Sequence, residues 1–418
     1  MRVNEAIDDR GSCAGVGGAY RRFGLTLVLT SACNLRCDYC YARTEVARSM
    51  PWPMGERATV RALNSLDADG VLELGFFGGE PLLEAQLLLR LADFARVKAG
   101  VTGHGLSMHL TTNGTVASED AWRVMRADDI QVSVSCDGLP GVHDRHRCRP
   151  DGLGSSATVL PLLQRLVDEG RNPAVIMVVR PDTLQSLPEG IAFLRDLGIG
   201  FVQPALDLWA EWSPADLERL QPALAASADA WVQTCGQLGI GWFDDMAARL
   251  AGVPMGECSR CSFGAGEVAV TPTGHLYPCE RLIGDDRPDH PSRLPGEVMT
   301  GSDFLAYPPA PRRSLAACGD CAIRDACGTS CRCGNYVRTG DVTRPDWLLC
   351  RLNRMCYEEV TRVLSPRKKE EVPCMTTRTG TQRPSPPPKR RRTSRIPGRN
   401  LAPPTCHAIR STRVCAKP

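Results

Sequence analysis

The stretch FGLTLVLTSACNLRCDYC, residues 23–40, carries the pattern on which the interpretation of this chain rests. Its first half, from Phe23 to Thr30, is a short apolar run, which predicts a buried strand. Three cysteines follow immediately, at Cys33, Cys37 and Cys40. Because parallel barrels build their active sites at the carboxyl ends of their strands, we predict a reactive site in this loop.

Further strands follow at regular intervals and are separated by amphipathic segments with helical spacing, such as Pro81 to Lys98. Alternation of this kind predicts an α/β fold with a parallel sheet, either open or curled into a barrel. The six predicted strands are Phe23–Thr30, Val71–Phe77, Gly105–Thr112, Ile130–Ser135, Ala174–Arg180 and Ile199–Pro204.

Changes in composition divide the chain. We predict an N-terminal extension over 1–22, a catalytic core over 23–251, a cysteine-rich domain over 252–364 and a disordered tail over 365–418. Residues 366–418 hold fourteen Lys or Arg against two Glu, a net charge of +12 in a chain whose total is +3. This Pro- and Arg-rich composition cannot bury enough apolar surface to offset chain entropy.

The folded part is therefore acidic, with a net charge of −9 over the first 365 residues, so nucleic acid is not the expected partner. No apolar stretch approaches the roughly 20 residues of a membrane helix. The N-terminus does not resemble a secretory signal, so we expect a cytoplasmic protein with no membrane partner. Residues 1–22 are too few for a separate leader-peptide-binding domain, so we expect a leader to be recognised elsewhere.

Twenty cysteines in a chain without a secretory signal favour metal or cluster ligation over disulfides. The thiolates of Cys33, Cys37 and Cys40 can hold three irons of a four-iron cluster and leave the fourth without a protein ligand. A structural zinc site is the alternative, but structural zinc is normally four-coordinate and no fourth ligand lies close in sequence.

The spacing of these cysteines, with Tyr39 before the last one, resembles the radical S-adenosylmethionine (radical SAM) superfamily. The resemblance implies a partial (β/α)6 TIM-like barrel whose open iron is chelated by the methionine part of the cofactor. One electron from the reduced cluster then cleaves S-adenosylmethionine to a 5′-deoxyadenosyl radical, which abstracts hydrogen from the substrate.

Gly78-Gly79-Glu80 follows the second predicted strand, as a Gly-Gly-Glu segment does in that family. The resemblance implies that Glu80 and the adjacent backbone hold the methionine amino group. It also implies that Asn113 and Ser135, at the ends of the next two strands, contact the cofactor. Taken alone, the Gly-Gly-Glu-Pro run could be a helix-starting turn, and the other segments ordinary turns.

The downstream cysteines resemble the SPASM extension, an auxiliary-cluster domain of peptide-modifying radical SAM enzymes. The resemblance implies two further four-iron clusters, although two structural zinc sites would need the same ligands. Most of the nine remaining cysteines are predicted to be passive thiols. The first auxiliary cluster would take Cys258, Cys261, Cys279 and Cys331, and the second Cys318, Cys321, Cys327 and Cys350.

Glu280 directly follows Cys279, at a position where similar sulfatase-maturing enzymes place an Asp as a proposed base. We predict Glu280 as a general base, with a surface ion pair to Arg281 or another cation as the alternative. The segment from His143 to Arg147 resembles a His-Asp-x-x-Arg stretch of the same enzymes, and we expect His143 and His146 to be structural.

The sequence is compatible with three functions. The first is a maturase that installs a thioether, cyclophane or related cross-link in a ribosomally made precursor peptide or protein, using an electron donor such as flavodoxin or ferredoxin. The second is a sulfatase maturase that forms formylglycine. The third is a non-catalytic iron–sulfur protein that binds a peptide or relays electrons, although a relay needs no open iron.

Overall fold

The computed structural model describes residues 18–42, 44, 46–253, 263–307, 318–327 and 331–365. Contacts divide the chain into one unit that ends at Pro366 and a second unit, Arg367–Pro418. The predicted ligands Cys258 and Cys261 and the predicted disordered tail lie outside the described residues.

Within the described residues, nine strands form one open sheet in the order β7-β6-β5-β4-β3-β2-β1-β8-β9. All neighbouring strands in this order are parallel except β8 and β9, which are antiparallel. The predicted α/β fold with an unclosed barrel is therefore confirmed. The strands are β1 (Tyr20–Thr30), β2 (Leu66–Gly78), β3 (Gly105–Thr112), β4 (Ile130–Ser135), β5 (Ala174–Val179), β6 (Phe201–Leu206), β7 (Gly239–Ile240), β8 (Glu267–Val270) and β9 (Leu276–Tyr277).

Helices connect the parallel strands, and their apolar faces bury a core with the sheet that includes Leu27, Leu74 and Leu88. No helix within the described ranges is both long and apolar enough to cross a membrane. The helices are α1 (Trp52–Leu63), α2 (Ala85–Thr102), α3 (Glu119–Met125), α4 (Pro140–His146), α5 (Ser156–Asp168), α6 (Leu187–Asp196), α7 (Pro214–Gln233), α8 (Gly241–Leu250), α9 (Arg332–Thr339) and α10 (Trp347–Leu364).

Segments from the predicted cysteine-rich domain pack directly on the core. Strand β8 extends the core sheet by pairing with β1. Helix α10 packs on α7 and α8, where Gln221 donates to Glu359 over 2.7 Å. Arg338 on α9 donates to the carbonyls of Leu208 and Ala210, which follow β6, over 3.1 Å each. These contacts hold the cysteine-rich segments beside the carboxyl ends of the core strands.

Candidate active site at the carboxyl ends of the strands

A backbone junction joins the end of β2 to the start of the cysteine loop. Gly79 N–H donates to the Thr30 carbonyl over 2.8 Å, and Glu80 N–H donates to the Ala32 carbonyl over 2.9 Å. A Cβ atom on Gly78 would lie 2.2 Å from the Thr30 oxygen, and one on Gly79 would lie 2.2 Å from the Ala32 oxygen. The two glycines are therefore required because two backbones meet without room for a side chain.

Glu80 is fully buried and binds three protein donors. Its carboxylate accepts from Leu82 N–H over 2.9 Å, Thr112 Oγ1 over 2.7 Å and Asn113 N–H over 2.7 Å. Burial raises the pKa of Glu80 to about 7, while these hydrogen bonds act in the opposite direction. Glu80 thus fastens the end of β3 to the end of β2, and it does not line the cavity described below.

The three loop cysteines line one side of a cavity at this edge of the sheet. Cys33 Sγ accepts hydrogen bonds from Leu35 N–H over 3.4 Å and from Asn113 Nδ2 over 3.7 Å. Burial raises the pKa of the Cys37 thiol to about 12, and the charge of Arg147 opposes this shift.

Within the part of the chain that the structure describes, no three His, Cys, Asp or Glu side chains converge closely enough to chelate a single metal ion. Three thiols spread around one opening, without a fourth ligand, instead fit a cluster in which each thiolate binds a different iron.

The predicted cofactor-contacting residues Asn113 and Ser135 both reach the same cavity. Asn113 bridges the cysteine loop and its own turn, because its Nδ2 donates to Asn34 Oδ1 over 2.9 Å and its Oδ1 accepts from Thr115 Oγ1 over 2.6 Å. Ser135 is the last residue of β4. Gly78 and Gly79 line the same cavity. Three strand ends therefore contribute to the wall beside the cysteines: Gly78 and Gly79 at the end of β2, Thr112 and Asn113 at the end of β3, and Ser135 at the end of β4.

A buried ion pair that the sequence did not predict supports the loop. Asp137 accepts from Tyr39 Oη over 2.5 Å and from Arg147 Nε over 3.0 Å, and its other oxygen accepts from Val178 N–H over 2.9 Å. Arg147 lies over the Tyr39 ring at 5.2 Å. Arg147 also lines the cavity, so it presents a cation there while orienting the aromatic residue between Cys37 and Cys40.

Both predicted structural histidines hold this region together. His146 is flanked by Asp38 and Asp182, each 2.8 Å away. His143 is buried, with Nδ1 accepting from Asp137 N–H over 3.3 Å and Nε2 lying 2.8 Å from Ser155 Oγ. Burial, followed by the charge of Arg147, lowers the pKa of His143 to about 4. Neither ring lines the cavity.

We expect the free energy of unfolding to decrease by about 2 kcal/mol when the pH falls from about 7 to about 5, because His143 binds a proton more readily in the unfolded chain. Its folded pKa of about 4 lies below the reference value of 6.5. The unfolded chain therefore binds the proton first, and acid favours unfolding. Denaturant titrations at both pH values should show a smaller decrease for His143→Gln, whereas His104→Gln at the surface should match the wild type. Equal decreases in all three proteins would contradict this assignment.

The cavity has a volume of about 370 Å³ and extends from the cysteine loop along the inner face of the sheet. Tyr41 stacks on Trp209 with ring centroids 4.9 Å apart and on Phe77 at 6.4 Å. His109 on β3 faces the interior of the cavity, and burial by its walls lowers its pKa. A Cβ atom on Gly75 would lie 2.5 Å from His109 Nε2, so this glycine makes room for the ring.

These cavity residues were not predicted. Tyr41 could have been noticed as a second aromatic residue beside the last cysteine of the loop. For His109, Trp209 and Phe77 no local signal existed, because each is one apolar or aromatic residue in or near a strand. Only the arrangement of the strand ends brings them together.

Glu280 and Arg281 line the same cavity as the cysteine loop. They lie in a short 3-10 helix, Glu280–Leu282, that follows Cys279. The Oε2 atom of Glu280 is 3.5 Å from Cys279 Sγ, and no ion pair joins Glu280 to Arg281 in the described structure. The residue predicted as a general base therefore faces the same space as the three loop cysteines.

The described auxiliary cysteines lie in two places. Cys331 and Cys333 have sulfur atoms 3.3 Å apart, and Cys279 packs with Cys333. Cys321 lies beside α10, because its sulfur accepts from Arg354 Nη2 over 3.6 Å. Arg354 is four residues beyond Cys350 on that helix and therefore shares its face. Cys318 and Cys327 are the remaining predicted ligands of the second auxiliary cluster.

Comparisons with known proteins agree with this geometry. Residues 27–194 match the family model described as the Radical SAM superfamily. A mycofactocin maturase from Mycobacterium ulcerans is 27% identical over 347 residues, covering 77% of this chain and 86% of that protein. A cysteine-type anaerobic sulfatase-maturating enzyme from Clostridium novyi is 25% identical over 275 residues, covering 62% of this chain and 73% of that protein.

Among solved structures, native anSMEcpe with bound AdoMet and Cp18Cys peptide has the same fold. It aligns with a TM-score of 0.67 at 20% identity and covers 82% of this chain and 97% of that chain. The resemblance predicted from the cysteine loop and the Gly-Gly-Glu segment is thus confirmed.

Proposed function

Because this chain carries a radical SAM domain and is an enzyme of that superfamily, we propose that it modifies a side chain of a ribosomally synthesised precursor peptide or protein. The reaction class is a thioether, cyclophane or related cross-link, initiated by reductive cleavage of S-adenosylmethionine. The observation that carries the proposal is that the three loop cysteines, Glu280 and Arg281 line one cavity.

Cys33, Cys37 and Cys40 would hold the four-iron cluster that this superfamily implies. When bound, the cluster and S-adenosylmethionine supply the one-electron cleavage chemistry. Gly78 and Gly79 line the cavity and Glu80 does not, so we assign the cofactor contact of this segment to the glycine backbone. Glu80 acts as a positioning residue, because it holds the end of β3 against that backbone.

We assign Asn113 and Ser135 to further cofactor contacts. Asn113 is held by Asn34 and Thr115, so its amide is already oriented before a ligand binds. The hydroxyl of Ser135 makes no side-chain hydrogen bond within the described residues and is available to a ligand. Both side chains reach the cavity from neighbouring strand ends.

The proposed substrate class is supported by Glu280 and Trp209, which both line the cavity, and by the names of the relatives. Glu280 is half-buried and faces the space beyond the cysteine loop, where a general base for a substrate must lie. Trp209, which is 45% exposed, extends the Tyr41 stack to the surface and offers an aromatic platform for a peptide. The relative named above is a maturase, and the solved structure holds a peptide.

We further propose SPASM-type auxiliary clusters in the cysteine-rich segments and an external electron donor such as flavodoxin or ferredoxin. Both the clusters and the electron donor are consistent with a cytoplasmic protein, because thiols stay reduced in the cytoplasm. The described cysteines support the clusters because Cys279 and Cys331 pack in one small cluster of buried side chains, and the Cys321 sulfur accepts a hydrogen bond from Arg354 on the helix that carries Cys350.

Release of 5′-deoxyadenosine from S-adenosylmethionine by the anaerobically reconstituted, reduced protein is the first test. Peptides encoded beside the gene would then be incubated with the enzyme and examined by mass spectrometry. A loss of two hydrogens per modified site, dependent on S-adenosylmethionine, would support cross-linking. Absence of 5′-deoxyadenosine with and without these peptides, despite full iron loading, would overturn the proposal.

We expect Glu280→Gln to separate cofactor cleavage from product formation. The loss of the carboxylate removes the proposed base but leaves the cysteine loop intact. Peptide-independent release of 5′-deoxyadenosine should stay within about twofold of the wild type, while modified peptide should decrease by about 100-fold. A matched Glu84→Gln variant, at the end of the 3-10 helix Pro81–Glu84, should leave both unchanged. Full product formation by Glu280→Gln would exclude this role.

Formylglycine formation in a sulfatase is the second candidate, because a sulfatase-maturating enzyme is 25% identical to this chain. The two candidates predict different products. A sulfatase-derived peptide converted to an aldehyde would favour the second, whereas a cross-linked precursor peptide would favour the first.

A further inference from the structure

One histidine inside the cavity has no hydrogen-bond partner among the residues that the structure describes. That histidine is His109, and no ion pair reaches it in the same part of the chain. The five other described histidines each place a ring nitrogen within hydrogen-bond distance of another group: His104, His143, His146, His275 and His290. An imidazole that its own protein leaves unpaired is available to a ligand.

The alternation of β3 directs the His109 ring into the cavity. Its neighbours Met108 and Leu110 are 1% and 0% exposed and belong to the hydrophobic core. His109 itself is exposed, although strands pair with β3 on both sides. Because successive side chains of a strand point to opposite faces, the accessible surface of His109 is the surface that lines the cavity.

The neighbouring strand leaves room for this ring. Gly75 on β2 is the register partner of both His109 on β3 and Thr26 on β1. A Cβ atom on Gly75 would lie 2.5 Å from Nε2 and 3.1 Å from Cε1 of His109, so the imidazole lies across this position. The φ angle of Gly75 is not positive, so the backbone does not require glycine. Glycine within a strand weakens the strand and often marks a site that a ligand approaches closely.

The surroundings of the ring favour an uncharged hydrogen-bonding partner. Burial by the cavity walls lowers the pKa of His109, and the charge of Glu280 opposes this shift. The ring is therefore neutral near pH 7, with one nitrogen that donates and one that accepts. Thr26 adds a hydroxyl to the same cavity on the other side of Gly75. A hydroxyl, thiol or carboxamide group, which both donates and accepts, suits this end of the cavity.

We propose that His109 is a specificity-determining residue whose imidazole hydrogen-bonds an uncharged polar side chain of the substrate peptide, one with a hydroxyl, thiol or carboxamide group. The inference rests on the proposed function, because it requires a peptide that enters the cavity. Glu280, the proposed base, lines the same cavity, so a hydrogen bond from His109 would fix the substrate side chain relative to that carboxylate.

The test is kcat/KM of the reconstituted, reduced full chain for the peptide, encoded beside the gene, that the wild-type enzyme modifies. His109→Phe keeps a planar ring but removes both nitrogens, and kcat/KM should decrease by about 10- to 100-fold. His109→Gln retains a donor and an acceptor, so its decrease should be smaller. The control His104→Phe, just before β3, should match the wild type. Wild-type kcat/KM in His109→Phe would overturn the proposal.

Substitutions in the peptide identify the group that His109 binds. Each polar residue of the peptide would be replaced by its nearest apolar counterpart, such as Ser by Ala or Tyr by Phe. One replacement should lower kcat/KM about 10- to 100-fold with the wild-type enzyme, but less than about twofold with His109→Phe. Equal effects of every replacement on both enzymes would contradict the proposed hydrogen bond.

A second pair of variants excludes misfolding as the explanation. Gly75→Ala places a Cβ atom where the His109 ring lies, and it should lower kcat/KM as His109→Ala does. The double variant Gly75→Ala, His109→Ala has no ring to displace, so its kcat/KM should be no lower than that of His109→Ala. Additive losses would exclude the ring as the origin of the effect. A wild-type enzyme that modifies no such peptide would overturn the proposed function, and this outcome is distinct from equal product formation by wild type and His109→Phe.

Discussion

We expect the double variant Cys37→Ala, Cys40→Ala to release no detectable 5′-deoxyadenosine and to lose about four of about twelve irons. With two of the three thiolates removed, Cys33 alone cannot hold the cluster, and no other group of ligands converges there within the described residues. The measurement is anaerobic turnover with S-adenosylmethionine, followed by iron determination. The auxiliary clusters should remain, because none of their described cysteines lines the cavity with the loop.

Cys148→Ala provides the control for that variant. The Cys148 carbonyl accepts a hydrogen bond from Arg36 N–H over 2.6 Å, so Cys148 lies beside the cysteine loop. The Cys148 thiol, however, contacts the Asp144 carbonyl at 3.2 Å. Loss of this thiol should leave both iron content and cleavage near wild-type values. Cleavage retained by the double variant would show that the loop does not hold the reactive cluster.

Gly79→Ala should reduce 5′-deoxyadenosine release by about 100-fold or more, because misplacement of a reacting group by about 1 Å can have that effect. The added Cβ would lie 2.2 Å from the Ala32 oxygen and 2.6 Å from its carbonyl carbon. Both obstacles are backbone atoms, so the junction itself must move. The hydrogen bonds from Gly79 and Glu80 to Thr30 and Ala32 would be strained or broken.

Gly100→Ala is the matched control. Gly100 lies in α2, and a Cβ at this position would meet no atom within 4 Å. Alanine in a helix interior is favoured over glycine by about 1 kcal/mol, so this variant should be equally or slightly more stable and fully active. Cofactor cleavage should therefore decrease in Gly79→Ala and stay at the wild-type level in Gly100→Ala, whose thermal unfolding temperature should be equal to or slightly above that of the wild type. Wild-type cleavage by Gly79→Ala would exclude the junction as a determinant of the site.

Much of the core could be predicted because its signals are local. The limits of β3 and β4 agree with the prediction, since apolar and polar residues alternate along much of each strand, as in a half-buried strand. Strand β2 is longer than predicted and begins at Leu66, because Leu66 pairs with Tyr20 across an irregular register. Helix α10 lies in the predicted second domain but packs on α7 and α8, a contact that periodicity alone does not specify.

The features of the candidate site also fall into two groups: those that the sequence predicted and those that only the structure shows. By itself, the sequence determined the parallel sheet, the cysteine loop, the Gly-Gly-Glu segment and the radical SAM resemblance, because each depends on residues close together in the chain. Only the tertiary structure decided that Glu80 is buried, that Asp137 and Arg147 support Tyr39, and that Cys333 joins Cys279. Those relations depend on which strand ends and helix termini meet, and the packing of distant segments determines that.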